Sequence, residues 1–116
     1  MDSKFTFCYW FGGKFVEEID GVVYVGGMGR TFDVDPVDLC LKYLINLGEM
    51  CVNSKLIEGL FYCVPGLALK EGLRKIVVED DAFQLGQTAI LNRYVDVYVL
   101  AKILVSPLSI LGSPFV

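Results

Sequence analysis

Nine of the fourteen acidic residues in this chain fall in three short clusters: Glu17, Glu18 and Asp20; Asp33, Asp35 and Asp38; Glu79, Asp80 and Asp81. Grouped carboxylates can hold a hard cation, do acid–base work, or draw in a basic partner and speed its encounter. The clusters read first as solvated turns and helix caps, roles that suit Asp35 and Asp81, and second as a surface for a basic partner. Asp33 and Asp35 alternate on an extended segment and would project together, but no third ligand or nucleophile stands near them in sequence.

Histidine is absent. That removes the commonest general base at neutral pH, the Ser-His and Cys-His nucleophile pairs, and the usual His-containing metal sites. The four cysteines, Cys8, Cys40, Cys51 and Cys63, are separated by 32, 11 and 12 positions. A four-thiolate zinc site normally draws its ligands as close pairs on tight turns, so these read as small apolar side chains in a reducing, intracellular setting. Met1 to Lys4 leads straight into a strand-like run, without the pattern of a secretory signal. Gly26-Gly27-Met28-Gly29-Arg30 has glycines and a cation suited to phosphate, yet neither the Walker spacing nor the Rossmann order. We therefore expect no catalytic centre, no cofactor, no metal and no small-molecule substrate.

A formal charge of −4 gives no phosphate-seeking field, which disfavours direct binding of nucleic acid. Such a role would need a local basic face built from Lys70, Arg74, Lys75 and Arg93. An apolar share of 54% over 116 residues is enough for one folded domain and leaves no room for a second.

The elements that must position these residues can be read from period and punctuation. Phe5, Phe7, Tyr9 and Phe11 alternate with Thr6, Cys8 and Trp10, a strand with one strongly apolar face. Gly12-Gly13 marks a hairpin turn, and Gly21 to Gly27 fits the returning strand. Asp35-Pro36 opens a helix carrying Val37, Leu41, Leu44 and Leu47, which Gly48 would stop. Leu60 to Val64 is a third strand ended by Pro65-Gly66, and Ile76-Val77-Val78 lies in a fourth. Asp81 with Gln84 three residues on is a capping-box pattern for a second helix reaching about Leu91. Val95, Val97 and Val99 face one way along a last strand, Asp96 and Tyr98 the other.

The order ββαββαβ predicts an α+β fold: a mixed sheet with helices on one face, as in the ubiquitin-like β-grasp arrangement. A ferredoxin-like fold is the nearest competitor but needs a single strand before the first helix. After Leu100 the composition changes, and residues 101–116 read as an apolar tail outside a domain of residues 1–100. The run from Val97 to Leu111 is too short for a membrane span and contains Lys102 and Pro107. Trp10 shares a face with Thr6 and Cys8, opposite the phenylalanine stripe. It is the best single hint of an interface unless a loop covers it.

Six segments in order resemble the PB1-like domain associated with plant Mutator-type (MuDR) transposases. They are Phe5-Thr6-Phe7, Gly12-Gly13-Lys14-Phe15, Tyr24-Val25-Gly26-Gly27, Val64-Pro65-Gly66-Leu67, Glu71-Gly72-Leu73-Arg74 and Val95-Asp96-Val97-Tyr98-Val99. The resemblance implies a non-catalytic interaction module that pairs with a protein partner or with itself. It also implies a plant, transposase-derived origin and a nuclear location. PB1 domains pair an acidic patch with a lysine of the next copy. Lys14 stands close to the basic position, whereas Pro65 to Gly72 lacks the dense acidic motif. The interface candidates are Lys14, Trp10, Glu79, Asp80 and Asp81. A ubiquitin-like modifier is disfavoured because the sequence closes on Ser113-Pro114-Phe115-Val116, without a terminal Gly-Gly, and a small enzyme because no activated nucleophile is present.

Overall fold

The computed structural model describes residues 3–53 and 57–101. Strands β1 (Phe5–Glu18) and β2 (Gly21–Val34) form a long hairpin. A 3-10 turn at Pro36–Asp38, helix α1 (Leu41–Val52) and strand β3 (Ile57–Cys63) follow. A single helical turn α2 (Leu69–Gly72), strand β4 (Leu73–Lys75), helix α3 (Glu79–Asn92) and strand β5 (Tyr94–Ala101) complete the described residues. The sheet order is β2-β1-β5-β3-β4, with β1 and β5 parallel and the other pairs antiparallel. This is the expected mixed α+β sheet, compatible with a ubiquitin-like β-grasp. The two long helices pack on one face of it.

That face carries the core. Phe5, Phe7 and Tyr9 of β1, Val95, Val97 and Val99 of β5, and Leu60 and Tyr62 of β3 meet Leu44 and Leu47 of α1 and Ala82, Leu85 and Ala89 of α3. The period of two in the strands and the helical spacing in the helices thus converge on one layer. Complete burial of each large member contributes roughly 2 kcal/mol. Tyr9 also ties the layers, its hydroxyl donating to the Leu44 carbonyl at 2.9 Å.

Four expectations are corrected. Gly12-Gly13 does not turn the chain: β1 runs on to Glu18, and the reversal falls at Ile19-Asp20. Asp35-Pro36 opens only the 3-10 turn, in which the Asp35 carboxylate accepts from the Val37 amide at 3.0 Å; α1 starts at Leu41 and Val37 points to solvent. Gly48 lies inside α1, where a Cβ would come within 3.0 Å of Ile57 Cδ1, so its role is close helix–sheet approach; the left-handed Asn53 ends the helix instead. Finally, α3 begins at Glu79, with Asp81 in its first turn, and β4 covers only Leu73–Lys75, so that Ile76-Val77-Val78 follows the strand instead of lying in it.

Asp81 still caps its helix, from inside it. One carboxylate oxygen accepts the amides of Val77 and Val78 at 2.8 and 2.9 Å, and these bonds hold its pKa below the ordinary value. A group depressed in the folded state contributes stability above its unfolded pKa of about 3.9, and loses it as pH falls through the folded value. Asp81→Ala is therefore expected to lower the thermal midpoint at pH 7. The gap to wild type should close below pH of about 4, as a melting series across pH would read.

The reading of residues 101–116 as a tail lies outside the described residues, apart from Ala101, which closes β5. Among the described residues no helix is long and apolar enough to cross a membrane.

Candidate functional site

Glu79, of one acidic cluster, reaches the chain just past another, some forty residues away in sequence. Glu79, in the first turn of α3, accepts the Leu41 amide at 2.9 Å and so caps the start of α1. Beside this bond a cleft of about 310 Å³ opens between the 3-10 turn and α3. Its walls are Phe5, Pro36, Leu39, Phe83 and Ile90, with Glu79 and Gln87 at the rim. Asp35 and Asp38 bracket Pro36 in the chain, and Asp80 follows Glu79. Phe83 and Ile90 remain half-exposed on α3. The arrangement is an apolar groove edged by the Glu79 carboxylate, able to seat an apolar side chain while holding a nearby cation.

The three carboxylates expected to act together have separate duties. Glu79 caps α1 and Asp81 caps α3, while Asp80 is exposed. The pair Asp33 and Asp35 is divided as well. Asp33 accepts from the Thr6 hydroxyl at 2.9 Å, and Asp35 caps the 3-10 turn.

Lys14 and Trp10 sit on the hairpin, which does something the sequence did not announce. Phe11 packs against the helix-side core, but Phe15, of the same parity along the strand, stacks on Phe61 and Tyr98 on the opposite face. The ribbon therefore inverts between them. Positive φ angles at Gly12, Gly26 and Gly27 make the inversion, and the Tyr24 hydroxyl secures it by accepting the Gly13 amide at 2.9 Å. Beyond the bend, residues 13–26 arch across the second face of the sheet, and Gly21 comes against Lys70 of α2. Gly26 to Arg30 is thus strand and bend, not a phosphate loop, and the Arg30 guanidinium lies 5.0 Å over the Phe32 ring.

The arch partly covers the aromatic face that contains Trp10. Beneath it an open cleft of about 290 Å³ is lined by Trp10, Val22, Val23, Tyr24, Leu69 and Tyr98. The Trp10 indole donates to the Asp96 carboxylate at 3.0 Å. Burial and that carboxylate push the Tyr98 phenol up to about 12, and burial, a hydrogen bond with Cys8 and the charge of Asp96 raise Tyr94. Lys14 is exposed on the arm beside its cross-strand neighbour Val25. It is not brought to the Trp10 cleft, nor to the rim of the carboxylate-edged one.

Asp96, Tyr24 and Tyr98 were not singled out from sequence as site residues. The alternation along β5 had placed Asp96 and Tyr98 on one face, but only the pairing of Trp10 with Tyr98 across β1 and β5 shows that Trp10 shares it. The possible basic face does not assemble on one strand edge. Arg74 and Lys75 are on β4, whereas Arg93 donates to the Lys4 carbonyl beside the start of β1. The thiols of Cys8, Cys51 and Cys63 are all raised by burial, and no cluster of potential metal ligands occurs among the described residues.

No curated protein and no solved structure matches the chain. The family model of the PB1-like domain does, over residues 1–101, which spans the hairpin, both long helices and the closing strand. A sheet of this order, two helices on one face of it and a family match across nearly the whole length agree: the chain belongs to the PB1-like domain family.

Proposed function

We propose that the protein is a non-catalytic interaction module whose docking surface is the carboxylate-edged cleft between the 3-10 turn and α3. The observation that carries this reading is an apolar groove, walled by Pro36, Leu39, Phe83 and Ile90, that Glu79 of the 79–81 cluster lines. Family membership supports it, since PB1-like domains serve as interaction modules. The partner is a protein segment with an apolar anchor next to a lysine or arginine. Asp80 supplies the charge least committed to the fold, and the exposed Lys14 gives the molecule an opposite pole through which a second copy can pair. The Pro65 to Gly72 segment contributes Glu71 as its only acid, so the acidic pole lies at α3. A transposase-derived plant protein acting in the nucleus is the setting that the six-segment resemblance favours.

Light scattering coupled to size exclusion tests the pairing. At low ionic strength the apparent mass should rise with protein concentration, and Lys14→Ala and Asp80→Asn should each return it to that of a monomer. A mass that stays monomeric at every concentration in low salt would refute pairing of this kind. Asp80 is the residue to change because altering Glu79 or Asp81 would also remove a helix cap.

A further inference from the structure

The arch makes a second site, on the face of the sheet away from the helices. Three aromatic side chains, Trp10, Tyr24 and Tyr98, line the 290 Å³ cleft beneath it, and Val22, Val23 and Leu69 supply the rest of the wall. Tyr24 and Tyr98 are set at 60° with ring centroids 5.1 Å apart; Tyr98, only 8% exposed, forms the floor of the cleft and Tyr24 part of its wall. Aromatic faces carry negative charge and attract cations within about 6 Å, most strongly when the cation is poorly hydrated. Behind the cleft, Asp96 accepts the Trp10 indole N–H, which pushes electron density onto the ring that faces the ligand. Lys70, next to Leu69, does not fill the cleft. It lines a separate pocket together with Glu18, Asp20 and Glu71.

We propose that this cleft is an aromatic cage for a trimethylated lysine side chain of a partner protein. A quaternary ammonium has no hydrogen to donate, so it needs π faces and not acceptors; the cleft offers aromatic rings, and the Asp96 carboxylate stands behind them, bonded to the Trp10 indole. The aliphatic wall of Val22, Val23 and Leu69 matches the four-methylene stem that carries the group. The assignment rests on the reading of the chain as a protein-interaction module, but its test does not depend on the pairing described above.

Trp10 is the one tryptophan in the chain, so its fluorescence reports on the cage directly. The full chain is titrated with Nε-trimethyl-lysine amide, with lysine amide, with choline, and with a neutral isostere in which carbon replaces the quaternary nitrogen. Trimethyl-lysine amide should alter the emission saturably and bind about fivefold or more tightly than the isostere, the ratio that about 1 kcal/mol of cation–π attraction gives. Asp96→Asn keeps an acceptor for the indole while removing the charge, and should weaken binding about threefold, as expected of a partly screened charge. Tyr98→Leu should abolish it. Equal binding of the isostere or of unmethylated lysine would overturn the cage, as would no saturable response. Equal binding of choline would overturn the assignment to lysine. Loss of pairing in light scattering with an intact titration would condemn the acidic cleft and leave the cage standing.

Discussion

Gly27→Ala is expected to remove about 3 kcal/mol of stability, a large share of what a domain of this size possesses. Gly27 adopts φ +75, where an L residue with a side chain costs roughly 1–2 kcal/mol. The added Cβ would also lie 2.6 Å from the Phe11 carbonyl oxygen and 2.7 Å from the Gly13 nitrogen. Both are backbone atoms of the opposing strand, so neither can rotate away, and relieving the overlap adds roughly another 1–3 kcal/mol. The comparison that isolates the overlap is Gly66→Ala. Gly66 has φ +88, yet nothing lies within 4 Å of its Cβ position, so only the conformational cost of roughly 1–2 kcal/mol remains. Urea unfolding followed by Trp10 emission would compare the two midpoints. Equal losses would mean that the ribbon relaxes freely at the bend and that its glycines are not required there.

The same glycines mark the limit of what could be read from sequence. Gly12-Gly13 with alternating apolar residues on both sides is a sound hairpin signal, because paired glycines most often supply the positive φ of a tight turn. Here they supply it within continuous strands, since Gly12 faces Gly27 and Gly13 faces Gly26 across the hairpin. A single run cannot reveal that its glycines will oppose another pair thirteen to fifteen residues away. The core face was legible for the opposite reason: period two in Phe5, Phe7 and Tyr9 and in Val95, Val97 and Val99 is a local signal whose consequence is also local. Order and class of the fold follow from such signals, so the β-grasp could be anticipated.

The candidate sites were legible only in part. Asp35 and Asp81 read as caps and are caps, because capping acts over two or three residues. That Glu79 would cap α1, thirty-eight residues away, is a tertiary fact with no sequence period to announce it. The carboxylate-edged cleft opens beside that bond. In the aromatic cleft, Trp10 was visible as an unexplained large residue on the wrong face of its strand, but Tyr24 reaches it only through the inverted arm and Tyr98 only through the pairing of β1 with β5.

Phe15→Ala tests that arm. Phe15 is half-buried and meets Tyr24, Phe61 and Tyr98 with ring centroids 5.3, 6.0 and 5.2 Å away, so it is the main apolar link between the arch and the sheet. Removing a fully buried Phe costs roughly 3–5 kcal/mol; half burial makes the expected loss about 2 kcal/mol. The loss should be local. The helix-side core does not include Phe15, and residues 5–11 are held on both sides, by β2 and by β5. Hydrogen exchange should therefore show protection falling across the arm, at Lys14 to Val25, while amides of β5 and of residues 5–10 in β1 keep theirs. A uniform fall across the sheet would show instead that the arm folds as one unit with the core. In the local case the variant should also lose the Trp10 response to trimethyl-lysine amide, since Val22, Val23 and Tyr24 leave the cleft together. Concentration-dependent association should weaken as well, because Lys14, the basic pole, lies on the loosened arm, although Asp80 keeps its place on the helix side of the sheet.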